Sequence, residues 1–126
     1  MNAIPGANAV RWTLGAEAKL RPALGDDLAI IAADVRDGRA ELWYSPRHGY
    51  MVTRFETFAT GRVELVIVGA VGEGLHEMMP GILYYARKHG AAAVRVHSRR
   101  PGMGRALERW GFELAEHVYL RDVDNG

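Results

Sequence analysis

One stretch of the sequence, from Arg62 to Gly90, limits the possible folds of this chain most strongly. It begins with Arg62–Val68 (RVELVIV), whose last four residues are all apolar, which is typical of a strand buried on both faces in the middle of a sheet. Glycines follow at positions 69, 72 and 74, and from Leu75 to Ala86 apolar residues recur with helical spacing. The stretch therefore predicts a central strand, a glycine loop and an amphipathic helix that ends at Gly90.

The next segment, Ala92–His97, has the composition of another strand. Because a helix connects it to the central strand, the two strands are expected to be parallel. Pro80 interrupts the helical pattern, so the helix is expected either to kink there or to begin with a separate first turn.

The flanking segments predict further strands and helices. Glu17–Leu24 is expected to be a short or irregular helix because it contains Pro22, and Asp26 is expected to cap the following helix. The last helix begins near Pro101 and carries Met103, Leu107 and Trp110 on one face. The predicted strands are Ala9–Leu14, a hairpin of Ala40–Ser45 and Tyr50–Glu56, and one or two strands within Phe112–Val123. Together these elements predict an α/β (α+β) fold with one mixed sheet, an antiparallel meander that turns parallel at the central strand.

Composition excludes several classes of protein. The chain has 126 residues, 48% of them apolar, which suits a single domain over residues 1–126. It has no cysteine, so disulfide frameworks and thiolate sites are excluded, and the histidines and carboxylates show no spacing typical of a metal site. The net charge of +1 argues against nucleic acid as a partner, and no apolar run has the length of a membrane span or an export signal. Cytoplasmic localisation is the expectation.

A ligand site is expected where the sheet changes direction, at the carboxyl end of the central strand. There the glycines of Gly69–Gly74 allow close backbone approach, and the N–H groups that begin the next helix attract anions such as pyrophosphate. The spacing G-x-x-G-x-G matches neither the dinucleotide fingerprint nor a P-loop. By itself it is equally compatible with a tight turn.

The order of these elements, ending in Trp110-Gly111-Phe112, resembles the GNAT superfamily of acyl-CoA-dependent N-acyltransferases, with helices on both faces of the sheet. The family's cofactor loop reads [RQ]-x-x-G-x-[GA]. Gly72 and Gly74 keep its small residues, but Gly69 stands at its basic or amide position, and Leu107 stands where a tyrosine is usual. The segment Arg100–Leu107 also resembles short GNAT-like proteins of tailed bacteriophages, some of which are virion proteins.

The resemblance implies acetyl-CoA as cofactor and a small-molecule or protein amine as acceptor. Backbone N–H groups around Val66 and Val68 would stabilise the oxyanion, and the loop amides would hold the pyrophosphate. Arg99 and Arg100 would contact the cofactor phosphates or an acidic partner. The implied cofactor-binding residues are Val66, Val68, Gly69, Ala70, Val71, Gly72, Glu73, Gly74, Leu75, Arg99 and Arg100.

The implied catalytic residues are Glu64 as base and Tyr119 as a replacement acid. Glu64 is equally readable as a solvent-facing strand residue, and Glu73 as a complement to the helix dipole that would repel a pyrophosphate. Two functions follow. One is an N-acetyltransferase, and the alternative is a catalytically degenerate GNAT-fold protein that binds a virion or host protein, located in the host cytoplasm or the virion. A sheet that binds RNA is disfavoured because no aromatic ribonucleoprotein motif is present.

Overall fold

The computed structural model describes residues 3–98, 103–116 and 118–123. A one-turn 3-10 helix, Gly25–Asp27, separates the first two α-helices. In chain order the other elements are β1 (Asn8–Val10), α1 (Leu14–Leu24), α2 (Leu28–Arg36), β2 (Glu41–Ser45), β3 (Gly49–Thr57), β4 (Val63–Val71), α3 (Leu75–Lys88), β5 (Ala93–Val96) and α4 (Met103–Glu108).

The five strands form one sheet in the order β1-β2-β3-β4-β5. The first three pairings are antiparallel, and β4 pairs with β5 in parallel from Glu64↔Ala93 to Ile67↔Val96. The predicted mixed sheet is therefore confirmed, with its change of direction at the predicted central strand. α3 makes the crossover that parallel neighbours require.

Helices cover both faces of the sheet, as predicted. Side chains alternate along each strand, so adjacent residues such as Leu42 and Trp43 enter different cores. The core under α3 contains Trp43, Met51, Leu65, Ile67, Met79, Ile82 and Tyr85. The core under α1 and α2 contains Leu20, Leu24, Leu28, Ile31, Leu42 and Val52.

The amphipathic helix α3 is continuous from Leu75 to Lys88, with Pro80 inside it. The separate first turn does not occur, because Met79 and Ile82 on either side of Pro80 are both fully buried against the sheet. Each buried apolar side chain of this size contributes about 1.5–3 kcal/mol, so the pair outweighs the cost of the proline, about 3 kcal/mol.

The N-terminal predictions need three corrections. The first strand ends at Val10 rather than Leu14, because the Thr13 hydroxyl accepts a hydrogen bond from the Ala16 N–H at 3.1 Å and starts α1 at Leu14. α1 runs regularly through Pro22 to Leu24, so it is longer than predicted. Asp26 does not cap α2, because it lies inside the 3-10 turn, and the N-cap position belongs to Asp27.

The predicted strands within Phe112–Val123 are wrong for the residues of this range that the structure describes, 112–116 and 118–123, none of which lies in a strand. Phe112 packs against the core under α3. Beyond it, the side chains of Leu114, Val118 and Leu120 are 77–92% exposed, so no buried face holds the segment in a sheet. The helices within the described ranges all lack the combination of length and apolar character needed to cross a membrane.

Candidate functional site

The carboxyl half of β4 contains a β-bulge. Val52 of β3 is opposite Gly69 and Thr53 is opposite Ile67, so Val68 is an extra residue with no partner on β3. On the other side, the parallel ladder ends at Ile67↔Val96, after which the His97 N–H donates to the Ile67 carbonyl at 3.1 Å. Within the described ranges, no strand follows β4 along its β5-facing edge from residue 68 to 71. The pairing of β4 with β5 therefore ends next to the bulge, while the pairing with β3 continues past it.

The bulge changes the interpretation of Gly69. A Cβ at this position would lie 2.6 Å from Cδ2 of Leu24, so any larger residue would displace this side chain from the close packing of α1 against β4. Gly69, Ala70 and Val71 were predicted in the cofactor loop, but all three lie inside β4. This placement is a correction, and its cause is that the ladder with β3 continues to the pair Tyr50↔Val71.

The turn between β4 and α3 is therefore only Gly72-Glu73-Gly74, which we call the glycine turn. Both glycines have positive φ, +114° and +87°, where other residues are strained. α3 has no side-chain cap, and the N–H groups of Glu77 and Met78 donate to the Gly74 carbonyl. This leaves the Leu75 and His76 N–H groups without an intrahelical acceptor. These two amides are available to an anion.

The hairpin turn between β2 and β3 packs directly on the glycine turn. A Cβ at Gly72 would lie 2.0 Å from the His48 carbonyl oxygen, and one at Gly74 would lie 2.4 Å from the His48 ring. Nδ1 of His48 lies 3.1 Å from the Glu73 carbonyl oxygen, to which it can donate only when it carries a proton. The sequence analysis missed His48, because no local pattern links residues 25 positions apart.

A cavity of about 260 Å³ opens on the other side of the glycine turn, between the start of α3 and α4. The turn contributes polar backbone, and the two helices contribute mainly apolar side chains. The three residues predicted on one face of the last helix all line it. The lining residues are Gly72, Glu73, Gly74, Leu75, His76, Met79, Met103, Ala106, Leu107 and Trp110. Sites for organic ligands commonly combine an apolar wall with a few polar groups in this way.

Glu64 lies at the other end of β4 and is buried, with 5% of its surface exposed, rather than facing solvent. Its Oε1 accepts a hydrogen bond from Nε of Arg95 at 2.7 Å, and its Oε2 accepts one from Nε of Arg62 at 3.2 Å. The Arg95 hydrogen bond is the main reason that the pKa of Glu64 is lowered, and Arg62 adds to the effect against the opposing effect of burial. Glu64 is seven residues from Val71, about 23 Å along an extended strand.

Tyr119, the predicted acid, is not among the residues that line the cavity. Tyr119 is 90% exposed and lies outside any strand. Arg99 and Arg100, like Pro101, lie outside the described residues. Glu73 and His76 both line the cavity, and both residues are exposed. Among residues 3–98, 103–116 and 118–123, no group of three or more histidines and carboxylates is placed to hold a metal ion.

Neither a protein-family model nor a curated protein sequence matches this chain. Solved structures do. An acetyltransferase from Trypanosoma brucei is 18% identical over 93% of this chain and 98% of its own, with a TM-score of 0.58. A ribosomal-protein-alanine N-acetyltransferase from Brucella melitensis is 13% identical over 92% and 97%, with a TM-score of 0.58.

A third similar structure, glucosamine-6-phosphate N-acetyltransferase from Arabidopsis thaliana, is 9% identical over 94% of this chain and 99% of its own, again with a TM-score of 0.58. The alignments span nearly the whole of each protein, and these three structures are acetyltransferases. Together with the five-stranded sheet that turns parallel at β4 and β5, they show that this chain has the GNAT fold.

Proposed function

We propose that this chain is an N-acetyltransferase that binds acetyl-CoA beside the glycine turn and transfers the acetyl group to an amine. The observation that carries the proposal is the open end of β4, where a bulge, an uncapped helix and a cavity meet in a GNAT fold. The acceptor is proposed only as a class, a small-molecule or protein amine.

The residues present suit such a cofactor. Its pyrophosphate needs N–H donors, which the Leu75 and His76 amides supply, and its apolar parts need the wall formed by Met79, Met103 and Leu107. Glu73 opposes binding because its carboxylate repels an anion at the same helix end. Arg99 and Arg100 are proposed to offset that repulsion.

Bound acetyl-CoA would supply a thioester carbonyl that an amine can attack. The chain's part is to hold the reactants and to stabilise negative charge on the carbonyl oxygen, for which we propose backbone N–H groups near Val66 and Val68. Of these two residues, Val68 has no partner on β3. Removal of the amine proton requires a base. Glu64 stays a prediction for that role, and its two arginine partners make its carboxylate a weaker proton acceptor. Tyr119 stays a prediction as the acid.

The test is thermal melting with and without acetyl-CoA, followed by assay against a panel of amines. Acetyl-CoA at about 100 times its dissociation constant should stabilise the protein by about 2.7 kcal/mol. No shift at millimolar acetyl-CoA would reject the proposal.

A matched pair of variants locates the site. Ala106 lines the cavity from α4, so Ala106→Phe should fill part of it and reduce the acetyl-CoA shift. Ala29 is an exposed alanine on α2, on the other face of the sheet, so Ala29→Phe should leave the shift unchanged. Equal shifts in the two variants would place acetyl-CoA elsewhere.

The alternative function, a GNAT-fold binding or structural component, has a specific observation in its favour. Gly72 and Gly74 are required by contact with His48, and Glu64 by its ion pairs, so each has a structural role without catalysis. This alternative predicts no acetyl-CoA shift and a stable complex with a virion or host protein. The double change Arg99→Glu and Arg100→Glu should weaken that complex.

A further inference from the structure

His48 joins three separate elements through one side chain. Its ring lies against Gly74, its Nδ1 lies 3.1 Å from the Glu73 carbonyl oxygen, and its Nε2 lies 3.6 Å from a carboxylate oxygen of Glu77 on α3. The side chain is only 14% exposed. A histidine in the hairpin turn between β2 and β3 thus contacts both the glycine turn and the first turn of α3.

We infer that His48 is a positioning residue that fixes the glycine turn for binding the cofactor, an inference that rests on the proposed function. The Nδ1–H group holds the Glu73 carbonyl toward the hairpin turn. Because the Glu73 carbonyl and the Gly74 N–H lie in one peptide plane, fixing the carbonyl also fixes this N–H. The His48 ring packs against Gly74 and limits the backbone rotation that orients the next N–H, of Leu75. The glycine turn needs such a support, since glycine restricts its own backbone less than any other residue.

The hydrogen bond and the packing of the ring can be separated by choice of substitution. Asparagine carries an amide nitrogen near the position of Nδ1, so His48→Asn can keep the bond to Glu73. In glutamine the amide nitrogen lies nearer the position of Nε2, so His48→Gln directs its donor toward Glu77 and loses the bond to Glu73. Arg47 provides the matched control, since it also contacts Glu77, at 3.9 Å, but is 81% exposed.

The experiment has two parts on the full-length protein. The first measures amide hydrogen exchange of residues 72–76 without ligand, and the second measures the dissociation constant for acetyl-CoA. We expect His48→Gln and His48→Ala to accelerate exchange at these amides and to weaken acetyl-CoA binding by about three- to tenfold, the range that one lost neutral hydrogen bond gives. His48→Asn should restore both values, and Arg47→Ala should change neither.

Equal behaviour of the asparagine and glutamine variants would overturn the inference, because packing alone would then explain the effect. Unchanged exchange and binding in His48→Ala would also overturn it. If His48→Ala does not fold, the comparison of the asparagine and glutamine variants decides. Failure of the unaltered protein to bind acetyl-CoA would reject the proposed function instead, and the exchange measurement would still decide whether His48 holds the glycine turn.

Discussion

The two ends of β4 are built differently. At its start, Glu64 is opposite Glu56 of β3 and Ala93 of β5, and its carboxylate is held by two arginines. At its end, the bulge at Val68 interrupts one ladder and the other ladder has already stopped. The start is closed by strands on both sides, whereas the end opens toward a cavity. Among the residues that the structure describes, backbone groups of β4 without a strand partner therefore occur at its end.

The packing around β4 also differs between its two ends. Near the start of β4, the Tyr85 ring packs against those of Phe55 and His89, with centroids 5.8 Å and 4.4 Å away. Near its end, the hairpin turn and the glycine turn pack so closely that side chains at Gly72 and Gly74 would collide with the carbonyl and the ring of His48. Several aromatic rings thus hold the closed end, whereas the open end combines one side chain, His48, with the close backbone approach that glycine allows.

The largest effect is expected at the open end. Gly72→Ala should lower the free energy of unfolding by about 3 kcal/mol or more, because it strains a residue at φ +114° and places a methyl group on the His48 carbonyl. Gly61 is the matched control, since its φ is +85° but nothing lies within 4 Å of its Cβ position. Gly61→Ala should cost about 1 kcal/mol, from backbone strain alone. Urea unfolding measures both, and equal costs would refute the contact with His48.

A second change tests the closed end. Glu64→Gln removes a carboxylate whose folded-state pKa is lowered by Arg95 and Arg62, so the charge stabilises the fold fully only above the unfolded-state pKa, about 4.3. Wild-type protein should be more stable than the variant at pH 7, and the advantage should shrink as the pH falls through the folded-state pKa. Urea unfolding between pH 3 and pH 7 measures this.

The same variant separates a structural Glu64 from a catalytic one. With a confirmed amine acceptor, turnover within about threefold of the wild type would remove Glu64 as the predicted base and leave it a structural role. A loss of about 10²-fold or more at unchanged stability would identify Glu64 as the base and would place chemistry at the end of β4 that we describe as closed.

The smallest effect concerns Tyr85. Burial, followed by the negative charge of Glu41, raises its pKa to about 12. An unfolded tyrosine ionises near pH 10, so between about pH 10 and pH 12 the side chain is ionised in the unfolded state but still protonated in the folded one. Ionisation then stabilises the unfolded state, and the free energy of unfolding of the wild type should fall as the pH rises. Tyr85→Phe should flatten this part of the pH profile. Tyr84→Phe, on the half-exposed neighbour, controls for loss of a hydroxyl, and equal slopes in the two variants would contradict the assignment.

The fold was predicted well where the sequence has strong local periodicity. The apolar run of β4 and the helical spacing of α3 predicted this strand and this helix, and α3 continues through Pro80 because buried Met79 and Ile82 hold it against the sheet. The prediction of strands in the C-terminal segment was wrong, because alternating apolar residues such as Val118 and Leu120 form a strand only beside a partner strand and over a buried face.

The candidate site was predicted only in part. Gly72 and Gly74 were located from their place between strand and helix, but their contact with His48 depends on a hairpin that arrives from 25 residues away. The bulge could not be predicted from the sequence either, because Val68 and Gly69 continue an apolar run that a regular strand would also show. Glu64 was found as a residue of the central strand, but its arginine partner Arg95 is 31 positions away.

The most direct test of the difference between the ends of β4 is a titration of the ¹⁵N-labelled protein with acetyl-CoA, in which the backbone amide chemical shifts are measured. We predict the largest changes in residues 66–76 and in the cavity-lining part of residues 103–110, with small changes in residues 63–65. Changes centred on residues 63–65, or no changes at millimolar acetyl-CoA, would contradict a cofactor site at the open end.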